Sequence, residues 1–204
     1  MSDRIFLTGG AAALASVLAA WWLFGQLSQS SVSNVDGPGP NLVIEVAGQA
    51  NGTVVIDLLP ELAPRNVAQV VELAKGGLYN GVVFHRVIDG FMAQTGDVQY
   101  GRSGGDISKA GMGNSDRPDL PAEFSKVPFE RGVVGMARTN SPDSANSQFF
   151  IMFGSAPHLN GEYTVIGHVI SGMDVVDKIK RGEVNLGGAV TDTPDVMARV
   201  SVEQ

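Results

Sequence analysis

The globular part of this chain contains many short strand-like segments and only two stretches with helical periodicity. One helix is predicted to begin at Pro64, a favourable first-turn residue, and to end at Gly76, and a second covers residues 173–181 with Val176 and Ile179 facing inwards. Eight segments have the alternating or apolar character of β-strands: residues 42–46, 53–58, 82–87, 92–95, 133–137, 148–152, 165–170 and 197–202. This pattern favours a mainly β fold, a closed eight-stranded antiparallel barrel capped by two helices.

Such a barrel restricts where a ligand can bind. A closed barrel of this size is filled by its own side chains, so a ligand is expected on the outer wall or the rim. Residues 98–124 form a long loop rich in Gly, Ser and Asp, and a loop of that length in a compact domain is more often functional than incidental. The loop lacks both common glycine-rich phosphate-binding motifs.

The N-terminal segment, residues 5–27, carries no charge. As a helix it would be roughly 34 Å long, enough to cross a hydrocarbon core of about 30 Å. Arg4 precedes the segment, Trp21 and Trp22 lie towards its far end, and the next basic residue is Arg65. Because positive charge favours the cytoplasmic side and aromatic rings favour the interface, residues 1–27 are predicted to form a signal-anchor or transmembrane helix with the rest of the chain outside the cytoplasm. A cleaved signal peptide is the alternative.

The remainder divides into a linker and one domain. Residues 28–41 are rich in Ser, Gly and Pro and lack periodicity, which predicts a flexible linker spanning about 20 Å on average. The globular domain is predicted to occupy residues 42–204.

Composition excludes several classes of function. The net charge of −7 argues against nucleic acid as a partner, and the absence of cysteine excludes disulfides, thiolate metal sites and cysteine nucleophiles. The three histidines, His85, His158 and His168, show no zinc-binding spacing, so neither a metal nor a cofactor is predicted. His85 and His168 lie within predicted strands and are interpreted as structural side chains. The G-x-S-x-G motif of serine hydrolases is absent.

Arg86 stands in a setting that suits a different chemistry. It precedes the turn signal Asp89-Gly90, which leads directly into Phe91 and Met92, so a hairpin would bring Arg86 near the face carrying one of these two side chains. Taken alone, a strand arginine is most simply read as solvated. An arginine, two glutamines and Phe and Met side chains together nevertheless suit a reaction without nucleophile, metal or cofactor, in which an apolar slot grips a ring and a cation holds a carbonyl or an amide nitrogen.

The same stretch resembles a known family. Residues 84–97, FHRVIDGFMAQTGD, are similar nearly residue for residue to the signature of the cyclophilins, which are peptidyl-prolyl cis/trans isomerases. GVVGMART (132–139), NSQFFI (146–151) and LNGEYTVIGHV (159–169) resemble the later family blocks in the same order and at similar spacing. The resemblance covers residues 42–202 and implies a cyclophilin-like barrel that catalyses rotation about X-Pro bonds.

The resemblance also assigns roles by position. Arg86 matches the catalytic arginine, and Gln94 is assigned to the catalytic set with it. The expected substrate-binding residues are Phe91, Met92, Phe150 and Leu159 around the proline ring, Gln148, Ala137 and the backbone of Arg138 along the peptide, and, beside these, His158 and Tyr163.

Three positions depart from the best-known eukaryotic members. His158 stands where they carry a tryptophan that contributes to cyclosporin binding, so only weak binding of this inhibitor is expected. Tyr163 replaces a pocket-lining histidine, but its ring can still form a wall and offer a hydroxyl. Arg138 replaces an asparagine that acts mainly through its backbone carbonyl.

The combined expectation is a membrane-anchored isomerase that assists the folding of exported proteins, with its catalytic domain in the bacterial periplasm. Its partners would be proline-containing polypeptides and, through the N-terminal helix, the membrane, and we expect a monomer. Two alternatives remain at this point. One is a proline-peptide binding module without useful catalysis, and the other is a structural barrel whose loop 98–125 binds a partner.

Overall fold

The computed structural model describes residues 35–204, which form one curled antiparallel sheet and two helices. The elements in chain order are β1 (Asn41–Ala47), β2 (Gly52–Leu58), α1 (Pro64–Lys75), β3 (Val82–Val83), β4 (Arg86–Ile88), β5 (Met92–Thr95), β6 (Val133–Met136), β7 (Phe149–Met152), β8 (Val165–Ser171), α2 (Met173–Val176) and β9 (Val196–Glu203), with short 3-10 turns at Pro157–Leu159 and Val184–Leu186. The order of strands across the sheet is β3-β9-β1-β2-β8-β6-β7-β5-β4. The mainly β architecture with two helices agrees with the prediction from sequence.

The concave side of the sheet holds the hydrophobic core. In β1 the even-numbered residues Leu42, Ile44 and Val46 are buried while Glu45 is exposed, as expected when alternate side chains of a strand point to opposite faces. Buried side chains of the other central strands join them, for example Ile56 of β2, in one continuous apolar cluster. The sheet is therefore filled from within by its own residues, which leaves its convex side for any ligand.

The predicted closed eight-stranded barrel is wrong in strand number and in closure. The segment predicted as one strand, residues 82–87, divides at Phe84 and His85 into β3 and β4. Strand β3 pairs with β9 and strand β4 pairs with β5, so the two halves lie at opposite ends of the strand order. In the described residues no hydrogen-bonded ladder joins β3 to β4, and the two edges of the curled sheet are connected by the chain itself. The amide of Phe84 still donates to the carbonyl of Asp195, next to β9, at 2.9 Å, whereas the carbonyl of His85 accepts from the amide of Val190 at 2.9 Å. The backbone therefore changes partners between these two residues.

The two helices differ in how well the pattern predicted them. Helix α1 begins at Pro64, as predicted, and buries Val67, Val70 and Leu73. Helix α2 was predicted to run to residue 181 but ends at Val176.

Hydrogen bonding explains this early end. The amides of Lys178 and Ile179 bond to carbonyls only three residues back, and the amide of Lys180 donates to Oδ2 of Asp195 at 2.6 Å. The α-helical ladder therefore stops, although Val176 and Ile179 remain buried as expected.

The chain before β1 lies against the domain. The amide of Gly37 donates to Oδ2 of Asp57, and the carbonyl of Pro40 accepts from the amide of Leu58. The predicted helix at residues 1–27 and the linker as far as residue 34 lie outside the described residues. Within residues 35–204, none of the helices has the length and apolar character needed to span a bilayer.

Candidate active site

Strand register brings the predicted polar and apolar side chains onto one face of the sheet. Arg86 lies opposite Gln94 and Ile88 lies opposite Met92 in the β4–β5 pair, while Gln94 lies opposite Phe150 in the β5–β7 pair. Because alternate residues share a face, the side chains of Arg86, Met92, Gln94 and Phe150 all lie on the convex side, away from the main core.

These side chains surround a cavity of about 500 Å³. Its lining consists of Arg86, Phe91, Met92, Gln94, Ala137, Arg138, Phe150, His158, Leu159, Glu162 and Tyr163. Ten of the eleven residues predicted from sequence are among them, the exception being Gln148. The cavity combines one apolar floor with two arginines on its walls, which suits a ligand that has both a compact apolar ring and hydrogen-bond acceptors.

Aromatic packing forms the floor of the cavity. The ring of Phe150 stacks on Phe129 with centroids 5.7 Å apart, and Tyr163 meets Phe150 edge-on at 5.8 Å. A Cβ atom at Gly135 would come within 2.6 Å of both the Phe129 and the Phe150 rings, so the glycine makes room for the stack. A second buried apolar cluster, which includes Met92 and these two phenylalanines, supports the floor from below. The floor is therefore preformed.

Two neutral acceptors hold the guanidinium of Arg86. Its Nε donates to the carbonyl of Gly187 at 3.0 Å, and Nη1 donates to Oε1 of Gln94 at 3.2 Å. Partial burial lowers the pKa of Arg86, and the nearby Tyr163 opposes this effect. The group nevertheless stays protonated at neutral pH, because the ordinary pKa of arginine lies far above neutral. Arg86 is thus a fixed positive charge on the cavity wall.

Gln148 reaches this site through a chain of amide hydrogen bonds. Its Oε1 accepts from Nε2 of Gln94 at 2.9 Å, and its own Nε2 donates to the carbonyls of Gly111 and Gly113 at 3.1 and 2.8 Å. The guanidinium of Arg86 can only donate, so the oxygen of the Gln94 amide must face it. The NH₂ group of Gln94 then faces Gln148, which fixes the orientation of the second amide as well. Gln148 lines a neighbouring cavity of about 280 Å³ rather than the main one. It therefore connects Gln94 to the long loop.

A buried carboxylate organises that loop. Both oxygens of Asp97 accept backbone amides: Oδ1 from Gln99 and Tyr100, and Oδ2 from Gly111 and Gly113 at 2.7 and 2.9 Å. Asp97 has no exposed surface. The four bonds fix the two glycine carbonyls that Gln148 uses.

Arg138 was expected to contribute through its backbone, but its side chain also supports the cavity wall. Its guanidinium carbon lies 4.4 Å from the centroid of the Tyr163 ring, a cation–π distance. Nε and Nη2 both donate to the carbonyl of Glu162, and Nη1 donates to the carbonyl of Thr139. Arg138 thus braces the wall formed by Glu162 and Tyr163.

His85 lies behind the site and is unsuited to acid–base chemistry at neutral pH. Burial lowers its pKa to about 4; the negative charge of Asp97 opposes this shift and the positive charge of Arg86 adds to it. Within the described residues neither ring nitrogen is hydrogen-bonded, although the Val83 carbonyl and the Gln148 side chain lie nearby. The ring is therefore neutral at neutral pH, which fits the interpretation of His85 as a structural side chain.

Two contributors were missed by sequence reasoning. Glu162 lines the cavity, and its position directly before Tyr163 in the block LNGEYTVIGHV could have indicated it. The carbonyl of Gly187, which holds Arg86, lies 101 residues further along the chain and is a backbone atom, so no residue-type pattern points to it.

Comparison with known sequences identifies the family. Residues 42–202 match the family described as cyclophilin type peptidyl-prolyl cis-trans isomerase. A Brucella suis protein that bears the name "Probable peptidyl-prolyl cis-trans isomerase" is 52% identical over 182 residues, covering 88% of this chain and 92% of that protein. The peptidyl-prolyl cis-trans isomerase of Helicobacter pylori is 41% identical over 135 residues, covering 65% of this chain and 77% of that protein.

Solved structures agree with these matches in fold. A cyclophilin from Hirschia baltica superposes with a TM-score of 0.65 at 26% identity, covering 81% of this chain and 74% of that one. A cyclophilin type isomerase of Cryptosporidium parvum, determined in the presence of the dipeptide Ala-Pro, gives a TM-score of 0.67 at 23% identity and covers 80% of this chain and 99% of that one. The prediction of the family is confirmed. The chain belongs to the cyclophilin-type peptidyl-prolyl cis-trans isomerases and is an enzyme of that class.

Proposed function

We propose that Arg86 accelerates rotation about the X-Pro bond by stabilising the twisted amide. The barrier to rotation, about 18–20 kcal/mol, arises from amide resonance. As the bond twists, the proline nitrogen becomes pyramidal and regains a lone pair, which can accept a hydrogen bond. Arg86 donates to this nitrogen and to the carbonyl of the proline itself, and its several donors in one plane suit the task better than the single ammonium of lysine.

The apolar residues of the cavity hold the proline ring while the preceding residue swings. Phe91, Met92, Phe150 and Leu159 provide the ring contacts, and Gln94 keeps the guanidinium directed at the substrate. The apolar surroundings also weaken competition from water for the charge of Arg86. The observation that carries the proposal is that the guanidinium and the apolar floor share one cavity.

The size of the effect requires several contributions. A 10⁵-fold acceleration corresponds to roughly 7 kcal/mol, whereas one charge-assisted hydrogen bond contributes about 1.5–3 kcal/mol. Positioning of the ring and exclusion of water must supply the rest.

The test is the isomerisation rate of an X-Pro peptide with the native protein and with Arg86→Ala. We expect kcat/KM to fall by at least about tenfold while the fold persists. Arg102→Ala is the matched control, because Arg102 also donates to backbone carbonyls, those of Asn80 and Leu78, but lies outside the cavity lining. Normal turnover by folded Arg86→Ala would remove Arg86 from the mechanism.

The proposal extends to ligands and location. We infer that the substrates are proline-containing segments of exported proteins during folding, and that residues 1–27 anchor the domain outside the cytoplasm, in the periplasm of a bacterium. The ring of His158 lies 5.7 Å from Phe91 at the rim, where the resemblance would place a tryptophan. Cyclosporin binding is accordingly weak, and His158→Trp is expected to tighten it in a titration; equal affinity of the two proteins would contradict this.

A further inference from the structure

We propose that the segment of residues 182–189, here named the clasp, is a positioning element for Arg86 that acts through the carbonyl of Gly187. The inference rests on the proposed role of Arg86 in catalysis and adds the part of the chain that fixes the orientation of its guanidinium.

The hydrogen bonds of Arg86 define what the clasp contributes. A guanidinium has five N–H donors; Gln94 takes one on Nη1 and Gly187 takes the one on Nε. A group held only by Gln94 could turn about that contact. With the second contact on Nε the plane is fixed, and the donors that remain on Nη1 and Nη2 keep one direction relative to the cavity. Fixing a reactive group in this way is a recognised source of rate enhancement.

The clasp is itself held firmly against β4. The amide of Gly182 donates to the carbonyl of Val87 at 2.9 Å, and the amide of Val87 donates to the carbonyl of Gly188 at 2.7 Å. Inside the clasp, the amide of Gly188 donates a hydrogen bond to the carbonyl of Glu183 at 2.9 Å. The clasp thus pairs with the edge strand that carries Arg86, so the Gly187 carbonyl and the arginine belong to one rigid unit.

The direction of the Gly187 carbonyl depends on a left-handed backbone. Gly187 has a φ of 64° and Gly188 a φ of 87°, a region that residues with branched side chains avoid. A Cβ atom at Gly188 would clash with Cγ1 of Ile88, whereas one at Gly187 would have no atom within 4 Å. A substitution at Gly187 therefore changes the backbone preference without a steric clash. It is the cleaner position at which to test the clasp.

The first experiment compares Gly187→Val with the native protein. Valine disfavours the left-handed conformation, so the carbonyl turns away from Arg86, and we expect kcat to fall by about fivefold or more with little change in KM. Gly104→Val is the matched control, because Gly104 also has a left-handed φ, 81°, and open space around its Cβ position, but makes no contact with Arg86. Asparagine tolerates the left-handed region, so Gly187→Asn is expected to recover most of kcat. If Gly187→Val does not fold, Gly187→Ala provides the same comparison with a smaller expected loss.

A double-mutant cycle separates positioning from general destabilisation. Alanine has no donor for the Gly187 carbonyl, so in an Arg86→Ala background Gly187→Val should produce no further loss of kcat. Full additivity of the two changes, or an equal loss of kcat in Gly104→Val, would overturn the role of the clasp. If instead Arg86→Ala keeps native turnover, the proposed role of Arg86 in catalysis is refuted. If Arg86→Ala loses turnover while Gly187→Val keeps it, only the proposed role of the clasp is refuted.

Discussion

At the scale of single residues, the notable property of Arg86 is that its charge is not neutralised by a neighbour. Within residues 35–204 no carboxylate lies within 4.0 Å of its guanidinium, and both of its acceptors are uncharged. Glu162 lines the same cavity, but its carboxylate lies 3.9 Å from Nη2 of Arg138. Neutral acceptors orient the cation and leave its field available to a substrate that gains electron density in the transition state.

This property predicts an unusual result at Gln94. Gln94→Glu would give Arg86 a stronger, charged partner, yet we expect kcat/KM for an X-Pro peptide to fall by about tenfold because the ion pair neutralises the cation. Gln94→Met, which removes the acceptor without adding charge, serves as the comparison and should lose less. Equal or faster turnover by Gln94→Glu would show that the free charge of Arg86 is unimportant.

His85 predicts a loss of stability in mild acid. Its pKa is lowered to about 4 in the folded protein from the ordinary 6.5, so between these values the unfolded chain binds a proton that the folded protein does not. The free energy of unfolding therefore decreases as the pH falls from about 6.5 to about 4, by up to about 3 kcal/mol.

Urea denaturation across this pH range tests the effect. In His85→Leu the free energy of unfolding should depend less steeply on pH. Some dependence on pH should remain, because burial also lowers the pKa of His168. An unchanged slope in His85→Leu would assign the pH dependence to other groups.

At the scale of elements, Asp97 holds the first half of the long loop by accepting four backbone amides. Asp97→Asn would turn an NH₂ group towards two of these amides, so two of the four hydrogen bonds become unfavourable. We expect the free energy of unfolding to fall by about 2–3 kcal/mol. We also expect faster hydrogen exchange at Gly111 and Gly113, since their amides lose their acceptor. Native stability in Asp97→Asn would contradict this account of the loop.

An element could be predicted from sequence when neighbouring residues determine its bounds, and could not when a distant residue does. Strand β5 was predicted with its observed bounds because its pattern and its turn at Asp89-Gly90 are local. The break between β3 and β4 was missed, because residues 82–87 are continuously strand-like and the interruption arises from a change of distant partners, from Asp195 at Phe84 to Val190 at His85. The early end of α2 also has a remote cause, since a side-chain oxygen of Asp195 accepts from the amide of Lys180.

The site shows the same division. Arg86, Met92 and Phe150 were predicted together from the resemblance to the cyclophilins, and strand pairing explains why they share one face of the sheet. The position of Gln148 beside rather than inside the main cavity could not be predicted, since it depends on carbonyls of the long loop. The Gly187 carbonyl was also beyond prediction, because backbone acceptors carry no sequence signal.

At the scale of the whole molecule, the hydrophobic core and the cavity lie on opposite sides of the sheet, so residues of the cavity can differ without disturbing the core. The concave side of the sheet is filled by the main apolar cluster, while the cavity lies on the convex side over a second, smaller cluster. Substitutions in the cavity wall therefore remove functional groups without opening the main core. This is why variants of Arg86 are expected to remain folded. Gly187 is exposed and also lies outside the main core, so the same expectation applies to its variants.

The proposed membrane anchor is also a whole-molecule property. We expect the full chain to sediment with membranes and to resist extraction at high salt, because an apolar helix over residues 5–27 is held by the bilayer core rather than by charge. A chain lacking residues 1–27 should be found in the soluble fraction with unchanged isomerisation activity. N-terminal sequencing of the isolated protein distinguishes an anchor from a cleaved signal peptide, and a mature chain that begins after residue 27 would contradict the anchor.

The central claim is that Arg86 acts on the twisting bond rather than on binding alone. Exchange NMR on an X-Pro peptide in the presence of the protein measures the on-enzyme isomerisation rate separately from the Kd. For Arg86→Ala we predict that this rate falls by at least about tenfold while the Kd rises by no more than about threefold, since Phe91, Met92 and Phe150 still hold the ring. An unchanged on-enzyme rate with a weakened Kd would contradict the account.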